Sequence, residues 1–180
     1  MAGLSKKKKL AIGVSALFAL VVLAFAPYIT SQVAVANRVK QLFVQEYQLG
    51  NIAPSVQQAI GNGSDAVAAA KFKRQLEETW TSAEALSNYE AIVAMWRQEG
   101  DQGLDMRFDA VDLQILWWEG SSEVDGVVTA KFVGTVNITM NGHTSNGGCI
   151  HDYTIVMKKN SPTGDWLLDQ RTAKELFPCH

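Results

Sequence analysis

Residues 10–29 read LAIGVSALFALVVLAFAPYI and carry no charged side chain. A helix of about 20 apolar residues is long enough to cross the hydrocarbon core of a bilayer. Lys6, Lys7, Lys8 and Lys9 stand directly before the run, and no basic cluster of that density follows it. Positive charge resists translocation. The expected arrangement is therefore a cytoplasmic tail at 1–9, a transmembrane helix at 10–29 and an extracytoplasmic part at 30–180, in a single-pass protein of the plasma (inner) membrane. A cleaved secretory signal is the alternative, with Ala24-Phe25-Ala26 or Ala34-Val35-Ala36 as the small-residue cleavage site. The run exceeds the usual signal core and Pro27 directly follows the first site, which favours a retained anchor. Both readings put the folded part outside the cytoplasm.

That part, about 150 residues, is one domain's worth and long enough to bury a core without staples. It holds all 18 acidic residues and 12 of the 16 basic ones, a net charge of −6 against +4 on the tail. An acidic domain gains nothing from displacing counterions off phosphate, so nucleic acid is not an expected partner. The tail lysines suit anionic lipid headgroups instead.

Beyond Pro27 the pattern becomes amphipathic. Val35, Val39, Leu42, Phe43 and Tyr47 recur at helical spacing, with a stop at Gly50-Asn51. Pro54 opens a short helical turn, broken at 61–64. Ser64 or Asp65 can cap the next helix, whose stripe is Ala69, Phe72, Leu76 and Trp80. Thr81 with Glu84 reads as a capping box for another, with Leu86, Tyr89, Val93 and Trp96 facing inward and Gly100 closing it. From Met106 the period switches to two. Val111, Leu113, Ile115 and Trp117 alternate with polar residues, and Gly120-Ser121-Ser122 supplies a turn. A long strand follows to Met140, then a loop from Asn141-Gly142 to Gly147-Gly148. A third strand spans 149–158, a turn lies at 160–164, and a fourth strand runs from 165 to about 172. The expected fold class is α+β: an N-terminal transmembrane helix, then three helices packed on a curved four-stranded antiparallel sheet. Helices first and strands last leave no βαβ crossovers, which excludes a parallel nucleotide-binding sheet.

The helix at 35–47, the helices up to Gln98 and the long strands from Met106 together resemble the nuclear transport factor 2-like, cystatin-like α+β cone. A lysine-rich start, one span and then such a domain is similar in layout to the bitopic scaffold subunits of type IV secretion and conjugation machines. The resemblance implies an assembly or interaction module of a cell-envelope complex, with other envelope proteins or further copies of itself as partners. It also implies an alternative, a cone that binds a small ligand or is weakly catalytic.

No G-x-S-x-G, H-E-x-x-H or P-loop pattern occurs, so no enzyme activity and no cofactor are expected. Cys149 and Cys179 are the only cysteines, and outside the cytoplasm an even pair reads as a disulfide. Cys149, His151, Cys179 and His180 do not match metal-ligand spacings, so no metal is expected. Asp112, His151 and Tyr153 are candidates to line the mouth of a cone, although His151 and Asp152, as strand neighbours, cannot form a dyad. Trp117 and Trp118 are candidate interface residues. Adjacent on a strand, they face opposite ways, so one can pack inside while the other anchors a partner.

Overall fold

A computed structural model describes residues 6–99, 108–140, 143–145, 149–159 and 164–177. It divides into two compact units, Met1–Ala36 and Asn37–His180. The described part is α+β, with four helices, α1 (Lys6–Gln48), α2 (Pro54–Gly61), α3 (Ala66–Glu77) and α4 (Ser82–Glu99), followed by strands β1 (Phe108–Val124), β2 (Val127–Met140), β3 (His143–Ser145), β4 (Ile150–Lys159) and β5 (Trp166–Phe177). The expected span and the first amphipathic helix are one element, α1, with Pro27 inside it. Among the described residues no helix is long and apolar enough to cross a membrane. The side chains of residues 6–23 lie outside the described set, so the expected span rests on the sequence.

In the second unit the strands run in the order β1-β2-β4-β5, all antiparallel, and the three-residue β3 pairs with the end of β2. The apolar stripe of α1 is buried as its spacing predicts: Val39, Leu42 and Phe43 are at most 1% exposed. Phe43 sets its ring edge against Phe132 of β2 and Tyr153 of β4, with centroids 6.4 and 5.5 Å apart. The sheet contributes Val128, Ala130 and Phe132 from β2 and Tyr153, Ile155 and Met157 from β4, each at alternate positions, as a half-buried sheet requires. Phe72 and Leu76 of α3 and Val93 and Trp96 of α4 close the helical side.

The helix starts are chemically ordinary. Pro54 sits in the first turn of α2, where a missing N–H costs nothing. The Asp65 carboxylate accepts from the Ala68 N–H at 2.9 Å and caps α3. The Thr81 hydroxyl donates to Asp169 of β5 at 3.1 Å and so ties the start of α4 to the sheet. One local expectation is corrected. Leu86, placed on the inner stripe of α4, is 44% exposed, and Ala85 beside it takes the fully buried position. The segment before α4 also pairs with β5: the Thr81 N–H donates to the Leu168 carbonyl at 2.7 Å, and the Leu168 N–H to the Thr79 carbonyl at 2.9 Å.

The first hairpin differs most from expectation. Gly120-Ser121-Ser122 is not a turn, because β1 runs through it to Val124. The reversal lies at Asp125-Gly126, where both residues have positive φ, 51° and 75°. That is the type I′ geometry whose twist matches a two-residue hairpin. Gly120, with φ 138°, lies instead at a register shift between Trp118 and Gly120. A second shift lies between Ile115 and Trp117. Each extra residue bends β1 and resets the alternation. Opposite the bend, a Cβ on Gly134 would stand 2.8 Å from the Gln114 carbonyl oxygen, so β2 needs glycine where β1 approaches. β3 lies inside what reads as a loop, and the turn expected at 160–163 falls outside the described residues.

Candidate functional site

The end of α1, helices α2 to α4, the start of β1 and the middle of β5 enclose a half-open cavity of about 300 Å³. Phe72, Leu76, Trp80 and Trp96 wall one side, and Tyr47 and Phe108 another. The rings hold one another: Phe72 and Trp96 lie 5.0 Å apart, and Tyr47 meets Phe108 edge-on at 5.6 Å. Phe108 is fixed by Asn51, whose side-chain amide donates to the Phe108 carbonyl at 2.8 Å and accepts from its N–H at 2.7 Å. Asn51 thereby imitates a neighbouring strand at the start of β1.

The charged groups of the cavity are Glu46 and Arg171, joined by an ion pair from Arg171 Nη1 to Glu46 Oε2. The guanidinium also lies over the Phe43 ring, 5.4 Å from its centre. Burial pushes the Glu46 carboxyl above its ordinary value, and the Arg171 charge and hydrogen bond pull only part of the way back. Burial likewise raises the Tyr47 hydroxyl against the pull of Arg171, with the Glu46 charge adding to the rise. At Tyr153 burial leads again, Tyr47 adds to it and Arg171 opposes it.

A carboxyl with a raised pKa in the folded state favours folding below its ordinary value of 4.5, and that contribution is lost as pH climbs through the raised value. Glu46→Gln, which mimics the protonated acid, is therefore expected to leave the domain at least as stable as the native chain at neutral pH. Its melting temperature should also fall less between pH 4.5 and neutrality. Thermal melts across that window check both; a clearly less stable variant at neutral pH would mean that the ion pair outweighs its desolvation.

The sequence candidates lie elsewhere. Asp112 is exposed on β1, in register with Asn137. Tyr153 is 6% exposed and stacks on Phe132 at 5.1 Å, while His151 is half-buried with its ring 5.6 Å from Tyr153. None of the three lines the cavity, so His151 and Tyr153 meet each other and Asp112 stands apart. Trp117 is 67% exposed, beside Leu116 at 48%. Trp118 stacks on Phe132 at 5.9 Å with the rings 14° from parallel. Strict alternation from Leu113 would have turned Trp117 inward; the extra residue before it turns it out and gives Trp118 the inner place. Cys149, next to β4, is disulfide-bonded. Cys179 and the tail lysines Lys6–Lys9 fall outside the residues with described side chains.

Glu46 and Arg171 were not among the sequence candidates. Glu46 carried a signal, being four residues after Leu42 and seven after Val39, a charge on an otherwise apolar helical stripe. Arg171 carried none of its own. A second recess of about 480 Å³ lies between the α2–α3 connection and α4. Two of its polar groups are engaged by the backbone, Asp65 with Ala68 and the Arg97 Nε–H with the Gly61 carbonyl at 3.1 Å. No protein-family model, curated protein or solved structure matches this chain.

Proposed function

We propose that this chain is a membrane-anchored, extracytoplasmic assembly module of a cell-envelope complex, of the kind used in secretion or conjugation. In this reading residues 10–29 are the transmembrane anchor, Lys6–Lys9 stay in the cytoplasm against lipid headgroups, and the domain beyond, akin to the nuclear transport factor 2-like cone, acts by binding and not by catalysis. The observation that carries it is the β1 edge. β1 ends the sheet order, and Leu116 and Trp117 stand out from it at 48% and 67% exposure. An exposed tryptophan is a frequent anchor of protein interfaces. The occupant is another envelope protein seated on this edge.

Tagged full-length protein extracted from its own membranes in mild detergent is expected to bring envelope proteins with it. Trp117→Glu should lose them while changing stability by no more than about 0.5 kcal/mol, since the ring already faces water. Recovery as a lone monomer, or full retention of partners by the variant, contradicts the proposal.

A further inference from the structure

We propose that the cavity between α1, α3, α4 and β5 is a binding site for a small neutral ring compound that presents one hydrogen-bond acceptor to Arg171. This site is separate from the β1 edge and does not depend on the assembly role.

Size comes first. About 300 Å³ lies at the lower end of small-molecule sites, room for one or two rings and too little for a lipid chain or a nucleotide. The walls are preformed. Phe72, Leu76, Trp80 and Trp96 are 1–8% exposed, so packing fixes them before anything binds. Tyr47 and Phe108 are fixed by their own contact and by the Asn51 clamp. Flat aromatic walls suit a flat ligand.

The polar end decides the ligand's charge. A guanidinium has five N–H donors. Arg171 spends Nη1 on Glu46 and its face on Phe43, and its other donors have no partner among the described residues. The Asn88 side chain lines the same cavity and likewise makes no hydrogen bond among the described residues. Donors are therefore on offer. The charge of Arg171, however, is already answered by Glu46. A ligand carboxylate would be placed beside the Glu46 carboxylate, and a ligand ammonium beside the guanidinium. The Glu46 side chain is 20% exposed and that of Arg171 31%, so water screens the pair only in part and either juxtaposition is unfavourable, whereas a neutral carbonyl can take an N–H of Arg171 without disturbing the pair.

Three probes of one size separate these cases: benzamide, benzoate and benzylammonium. Each is titrated into full-length protein in nanodiscs, with empty nanodiscs as the blank, while the tryptophan indole N–H resonances are followed. Benzamide is expected to bind saturably, to shift the Trp80 and Trp96 signals, and to bind about tenfold more tightly than either charged probe. Ile92→Trp, which fills the cavity, should abolish the shifts, and Asn88→Ala should weaken benzamide without altering the melting temperature. If Ile92→Trp does not fold, Asn88→Ala decides. No saturable shift, a charged probe that binds as well as benzamide, or unchanged affinity in the folded variants would overturn the proposal.

Discussion

Phe132→Ala is expected to lower the stability of the domain by about 3–5 kcal/mol, the usual cost of deleting a fully buried phenylalanine ring. Phe132 is 0% exposed and touches three other rings: Phe43 from α1, Trp118 from β1 and Tyr153 from β4. Three elements thus meet on one side chain, and close packing around it leaves little room for collapse into the space vacated. The loss should appear as a lower urea midpoint with an unchanged slope. A loss under about 1 kcal/mol would mean that the helix-to-sheet contact is not centred on this ring.

Cys149→Ser is expected to cost about 2–4 kcal/mol, because a cross-link chiefly limits the conformations open to the unfolded chain. Cys149 is disulfide-bonded, and Ile150 next to it is in register with Phe177 at the far end of β5. The chain's other cysteine, Cys179, follows Phe177 by two residues and lies outside the described residues. With Cys179 as the partner, the closed loop is about 30 residues, within the range that gives this magnitude. Reductant should lower the melting temperature of the native chain to that of the variant and leave the variant unchanged. A native chain indifferent to reductant would contradict the assignment.

The residues that could be read from sequence are those whose local chemistry agrees with their surroundings. Val39, Leu42 and Phe43 announce a buried helical face by spacing alone, and they form one. Pro54 and Asp65 announce helix starts for the same local reason. The β1 hairpin failed because two turn signals competed. Gly120-Ser121-Ser122 has turn composition, but Asp125-Gly126 has the residues a type I′ hairpin requires, and the chain reverses there. With the turn misplaced, the register shifts in β1 could not be foreseen, and those shifts decide which tryptophan faces water. The cavity was hidden for a different reason. It joins Glu46 to Arg171 across 125 positions, and no local pattern in β5 marks the arginine that partners the helix. Asp112 was chosen for its chemistry, but its position on the exposed side of an edge strand separates it from His151 and Tyr153.

The central claim, an anchored chain with its folded part beyond the membrane, is tested most directly by cysteine labelling from outside. Glu123→Cys lies at the exposed end of β1, and Ser5→Cys lies before the lysines. A membrane-impermeant maleimide added to cells with an intact inner membrane should label Glu123→Cys at once, and Ser5→Cys only after the membrane is opened. Labelling of Ser5→Cys alone in intact cells, or recovery of the native chain in the soluble fraction, would contradict the account.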